Sequence, residues 1–212
     1  MKYSASKTID MTEKPEEVIS INTALWNKMY KASILKEIKE IEKPPRILED
    51  MMFLALVYLK INKISFVEDY LYYYMVREGS AMNTLKENEI KSIQQVMITI
   101  KEEYTNSKCT KEKMEVLSCM AFLHLGISLM LKVFENNKKD FKEEYKKNLD
   151  FLDKNFGEWR TTKYLKLWYT VFKCKSNLKV AIVKKVYILN LFSLFLNTYK
   201  MVTEKFKIDI KW

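Results

Sequence analysis

Glu49 and Asp50 stand side by side at the head of nine unbroken apolar residues, Met51 to Leu59. A carboxylate fixed at the start of a buried helix suits a general base, because it accepts one proton from a hydroxyl held within hydrogen-bond reach. Taken alone, the pair is also what an ordinary first helical turn carries, since the helix dipole stabilises acidic side chains there by about 0.3 to 1 kcal/mol each. Other stretches with chemistry flank it. Upstream lies "WNKMY" (26–30), whose Trp26 reads, as an aromatic residue, as core or surface packing. Downstream lie "KISFVED" (63–69) and "YYYMVREGS" (72–80), in which Tyr72, Tyr73 and Tyr74 read most simply as strand packing.

Other chemistry finds little support. His124, the one histidine, lies in "SCMAFLHLGISLML", an apolar helix where a satisfied core residue is the ordinary reading. Cys109, Cys119 and Cys174 match neither a disulfide framework nor a zinc-ligand spacing, so they are expected to be reduced and structural. There is no Gly-rich phosphate loop, serine nucleophile elbow or zinc motif, and hence no metal site of the chain's own.

The elements that must position these residues follow from composition. A 48% apolar content in 212 residues is ample for a sizeable core, and only three Gly and three Pro favour a mainly helical chain. Residues 21–30 are consistent with a strand leading into a helix, and residues 49–60 predict a buried helix with no solvent face. "KISFV" and "YLYYYMV" predict two short strands turning at Glu68-Asp69. Beyond residue 85 the pattern is helical, over roughly 84–105, 110–134, 138–155, 159–173 and 177–205. The expected fold is thus α/β, with a mixed layer over 1–85 and a mainly α-helical region over 86–212.

In their order and spacing, "WNKMY", the acidic pair, "KISFVED" and "YYYMVREGS" resemble the acceptor-side half of family 2 glycosyltransferases. The resemblance covers about residues 20–85. It implies a partial GT-A-like layer and transfer of a sugar, with inversion, from a nucleotide-diphosphate donor to a glycan or lipid-linked acceptor. It makes Asp50 the base, with Glu49 beside it, Trp26 a contact for the acceptor sugar, and Arg77 and Ser80 neighbours of the diphosphate. It also implies a divalent metal, Mg or Mn, for the full enzyme. The sequence departs from the family in having no Asp-x-Asp and only about twenty residues before the matched region, so the expectation is a truncated or split form whose donor-binding half is separate. Where the family often has a Phe and a Gly before the acidic pair, this chain has "EKPPRIL", and Met75 stands where an Arg is frequent.

The net charge of +10 favours an anionic neighbour. Basic residues are spread along the chain, so nucleic acid ranks last among partners. The competing reading is a non-catalytic helical module that binds a partner protein or an anionic membrane surface. It draws on residues 177–205, where Asn190, Ser193, Asn197 and Lys200 form one narrow polar stripe and Lys179, Lys184 and Lys185 supply charge. The amino terminus lacks a secretory h-region, and no segment reaches roughly 18 uncharged apolar residues, so the expected location is cytoplasmic, with peripheral contact at the inner membrane face.

Overall fold

The computed structural model describes residues 7–73, 75, 87–136 and 141–206. The described chain is mainly helical. By its contacts it divides into two compact units, Met1–Leu117 and Ser118–Trp212. The boundary expected near residue 85 falls outside the described residues.

The first unit is organised around α2 (Glu49–Lys60), whose limits coincide with those read from the sequence. Met51, Met52, Leu54 and Ala55 are fully buried, which is why the helix needs no polar face. It packs against α3 (Glu87–Asn106), which turns Ile93, Met97, Ile100 and Tyr104 inward at helical spacing. The Tyr104 hydroxyl donates to the Ala55 carbonyl at 2.6 Å, and burial raises its pKa well above the usual phenol range. At the other end of α2, the Lys113 ammonium donates to the carbonyls of Leu59 (2.9 Å) and Ile61 (3.3 Å), capping acceptors that the helix leaves open.

The mixed layer is much smaller than expected. Among the described residues it is one antiparallel pair, β1 (Thr8–Asp10) with β2 (Lys63–Ser65), in the register Thr8↔Ser65, Ile9↔Ile64, Asp10↔Lys63. "KISFV" therefore pairs with the amino-terminal segment and not with "YLYYYMV". Tyr70, Leu71, Tyr72 and Tyr73 are all exposed, so neither face of that segment is buried and nothing fixes a strand register. Residues 21–30 form no strand either. Asn22 Oδ1 accepts from the Ala24 amide at 2.8 Å, and the Lys28 amide bonds the Leu25 carbonyl at 3.2 Å, so side-chain and turn bonds replace a ladder before the single turn of α1 (Ala32–Leu35).

The second unit, from Ser118 on, contains most of one long helix, Lys111–Asn136, composed of α4 (Lys111–Ala121), a π-helical segment (Phe122–Leu129) and α5 (Met130–Asn136). This helix is long and apolar enough to cross a membrane, although it contains no uncharged run of 18 residues. Its best window has mean hydropathy 1.9, but 83% of that window is buried inside the protein, the placement of a core helix. Around it lie α6 (Phe141–Phe156), α7 (Glu158–Thr161), α8 (Leu167–Phe172), α9 (Leu178–Ile188) and α10 (Phe192–Phe206). The stretch 177–205 is thus two helices. Asn190, with φ 56°, takes the left-handed conformation that asparagine tolerates and turns the chain between them, so it does not belong to a stripe along one helix.

Candidate functional site

Asp50 occupies the first turn of α2, half-buried, with Glu49 exposed beside it. The chain enters this helix through Leu48, which adopts φ 68° and ψ 11°. A branched, bulky residue rarely takes that left-handed conformation, and holding it costs on the order of 1 to 3 kcal/mol. The surroundings impose it. Pro45 and Ile47 are buried, Arg46 Nε reaches Glu89 of α3 at 2.9 Å, and Lys39 lies 3.7 Å from Glu103 of the same helix. No side chain caps the helix start through Leu48, so the first-turn amides and their dipole favour the carboxylates of Glu49 and Asp50.

The segment 26–30 reaches α2 through Tyr30. Burial lowers the pKa of Lys28 to about 8, and the Asp50 carboxylate offsets part of that effect. Its ammonium donates to the Ala24 carbonyl and to Asn27 Oδ1, each at 2.7 Å, and to the Asn22 carbonyl, so all three protons are used to tie the 22–28 turn together. Tyr30 is pushed up to about 12, first by burial and then by Asp50, and its ring meets Phe53 of α2 edge-on at 5.8 Å. Trp26, 41% exposed, stacks on Tyr72 at 4.8 Å and 25°. Thus Asp50 has Lys28 and Tyr30 for electrostatic neighbours, and an open aromatic pair lies two residues along the chain from Lys28.

No protein-family model, curated protein or solved structure matches this chain.

Of the site residues expected from sequence, Glu49, Asp50 and Trp26 are placed, whereas Arg77 and Ser80 lie outside the described residues, as does Tyr74. Lys28 and Tyr30 are not expected from sequence, although both lie inside "WNKMY", and Tyr72, expected in strand packing, is a stacking partner of Trp26. The signal that would have found them is the motif itself, which places a cation and a phenol two and four residues after Trp26.

The residues at Asp50 do not fit a divalent metal. Adjacent helical carboxylates point about 100° apart around the axis, which prevents Glu49 and Asp50 from converging on one ion. Among the described residues no group of His, Cys, Asp or Glu is arranged to hold one. A cleft of about 460 Å³ exists in the first unit, but its walls include Met11, Lys60, Lys108, Cys109 and Lys113 and not Asp50.

In the second unit, His124 is buried inside the π-helical segment, and burial lowers its pKa to about 4. Lys184, expected at an anionic surface, is only 4% exposed and faces inward.

Proposed function

We propose that these residues carry the acceptor side of an inverting glycosyltransferase of the family 2 type, with Asp50 as the base. The acceptor hydroxyl attacks the anomeric carbon of a nucleotide-sugar, its proton passes to Asp50, and the nucleoside diphosphate leaves with the bonding electron pair. One observation carries the reading: Tyr30 of the "WNKMY" segment packs on Phe53 of the buried helix that Asp50 begins, and Asp50 acts electrostatically on both Tyr30 and Lys28. Trp26 and Tyr72 then offer the aromatic face on which a sugar ring stacks, and Lys28 balances charge beside the base.

The donor side, with its metal-binding Asp-x-Asp, is not among these residues. In this reading the exposed side chains of Val67 and of Tyr70 to Tyr73, together with Met29 at 90% exposure, are the surface that a donor half covers, and the β1–β2 pair is the edge of a GT-A-like layer that the donor half completes. The enzyme's acceptor is a glycan or lipid-linked glycan, and its location is cytoplasmic.

A glycan array probed with the full chain tests this. Expected is binding to a defined set of oligosaccharides that Trp26→Ala removes and Asp50→Asn retains, because the base is needed for chemistry and not for stacking. Calorimetry with nucleotide-sugars, with and without manganese, is expected to show no heat from this chain alone. Absence of all glycan binding, or binding unchanged in Trp26→Ala, counts against the acceptor assignment and favours the alternative, a non-catalytic helical module that binds a partner.

A further inference from the structure

Helix α8 is built inside out. Its sequence, "LWYTVF", buries the polar Thr170, whose hydroxyl bonds back to the Leu167 carbonyl at 2.9 Å, and exposes Trp168 (57%), Val171 and Phe172 (79%). Trp168, Val171 and Phe172 follow the three- and four-residue spacing that puts side chains on one face. A helix turned to serve a protein core would bury that face. Exposed lysines bracket it on both sides, Lys163 and Lys166 before, Lys173 and Lys175 after.

The charge around α8 is of one sign. From Trp159 to Val202 the chain has nine Lys or Arg and no Asp or Glu. Lys166, Lys173, Lys175 and Lys179 form no ion pair among the described residues. Helix α9, which packs on α8, continues the pattern on its open side, where Lys179, Ile182, Lys185 and Leu189 alternate cation with aliphatic. Aromatic side chains flanked by uncompensated lysines are the composition of an interfacial anchor, in which rings enter the acyl boundary and ammonium groups stay among lipid headgroups.

We infer that α8 and the open side of α9 dock on an anionic lipid bilayer, with Trp168 and Phe172 entering the interface and Lys166, Lys173, Lys175 and Lys179 meeting acidic headgroups. The occupant follows from charge complementarity. A protein partner would need an apolar groove rimmed entirely by acids, whereas an anionic bilayer offers that combination everywhere on its surface. This surface differs from the polar stripe over 190–200 that the sequence suggested. It also stands apart from the Asp50 assignment and survives that assignment's failure.

The full chain is tested by flotation with vesicles of phosphatidylcholine, with and without phosphatidylglycerol, and by quenching of tryptophan emission with brominated lipid. Expected is partition that requires phosphatidylglycerol, falls with added salt, and quenches emission in the native chain far more than in Trp168→Phe. Each of Lys166→Glu and Lys173→Glu lowers partition by at least about fivefold, the factor associated with one surface lysine. Trp168→Ser with Phe172→Ser lowers it by at least tenfold, with circular dichroism confirming that the helices persist. Should that pair unfold the unit, Trp168→Phe quenching and the lysine variants decide the matter. No flotation at low salt, equal flotation on pure phosphatidylcholine, or flotation without Trp168 quenching overturns the inference. So does concentration-dependent self-association that Trp168→Ser abolishes while vesicles bind nothing.

Discussion

His124 is the one histidine of the chain, which makes its titration readable in isolation. Burial holds its folded-state pKa near 4, against about 6.5 when unfolded. Between those values the unfolded chain binds the extra proton, so stability is fully present above pH 6.5 and is lost as pH falls toward 4, by about 3 kcal/mol in all. Chemical denaturation over that range checks it, with His124→Leu expected to flatten the acid limb. Lys184 behaves in the opposite part of the scale. Burial is the main cause of its fall to about 8, Cys119 opposes that fall, and Lys166, Lys185 and Arg160 add to it. From pH 8 to 10.5 the unfolded chain holds more protons, so stability rises across that window, and below it the cost of burying the ammonium remains in full. Lys184→Met is therefore expected to stabilise the protein at pH 7 by about 1 to 3 kcal/mol, a gain that shrinks as pH approaches 10. A loss of stability would show that the ammonium has a partner worth more than its desolvation.

The π-helical segment shows how an irregular element is made tolerable. Widening a helix leaves carbonyls without their usual i+4 donors, and inside a core an unmet carbonyl is costly. Two buried side chains meet the need: Asn148 donates to the Leu125 carbonyl at 3.0 Å, and the Tyr187 hydroxyl donates to that of Gly126. Gly126 itself leaves space, since a Cβ there would come within 3.0 Å of the Phe122 ring and 3.3 Å of Leu152. The segment rests on aromatics, with Phe122 stacked on fully buried Trp159 at 4.2 Å and Tyr187 edge-on to both. Asn148→Leu is expected to cost about 1 to 3 kcal/mol, the price of leaving a buried carbonyl unpaired, whereas Asn155→Leu on the same helix, whose amide only bonds back to its own turn, should cost far less. Equal effects in urea melts would remove the carbonyl-pairing account.

Which of these elements a sequence discloses depends on the range of the forces that set them. Helix α2 was legible to the residue because its signal is local: an acidic first turn, nine apolar residues, then Lys60. The β1–β2 pair joins residues some 57 positions apart, so nothing near "KISFV" announced its partner. The break at Asn190 was passed over because a single left-handed asparagine leaves the apolar pattern on either side intact. At the candidate site, Asp50 and Trp26 were visible as types in a motif, but the company of Lys28 and Tyr30 is a product of folding. The sequence predicts a helix over 159–173, but composition does not say which way a face of α8 points.

At the scale of the whole molecule, the proposed chemistry lacks one of the two parties it must hold together. Orienting two reactants supplies roughly 7 to 11 kcal/mol of barrier reduction, while a general base contributes typically about 10²- to 10⁴-fold. An acceptor held over Asp50 with no donor opposite forgoes the larger contribution, so the base alone leaves the barrier nearly intact. These 212 residues by themselves are therefore expected to turn over no nucleotide-sugar. Joined by a donor-binding half that carries Asp-x-Asp, whether fused or added in trans, they are expected to transfer. Asp50→Asn should then lower kcat by at least a hundredfold with little change in the acceptor's KM, because the amide keeps the shape of the carboxylate and loses only its ability to take a proton. Glu49→Gln is the control: an exposed neighbour on the same turn should leave kcat within a few-fold. Radiolabel transfer from a panel of nucleotide-sugars reads both. If the chain transfers alone and does so equally well as Asp50→Asn, the base lies elsewhere and the electrostatic influence of Asp50 on Lys28 and Tyr30 has no part in catalysis.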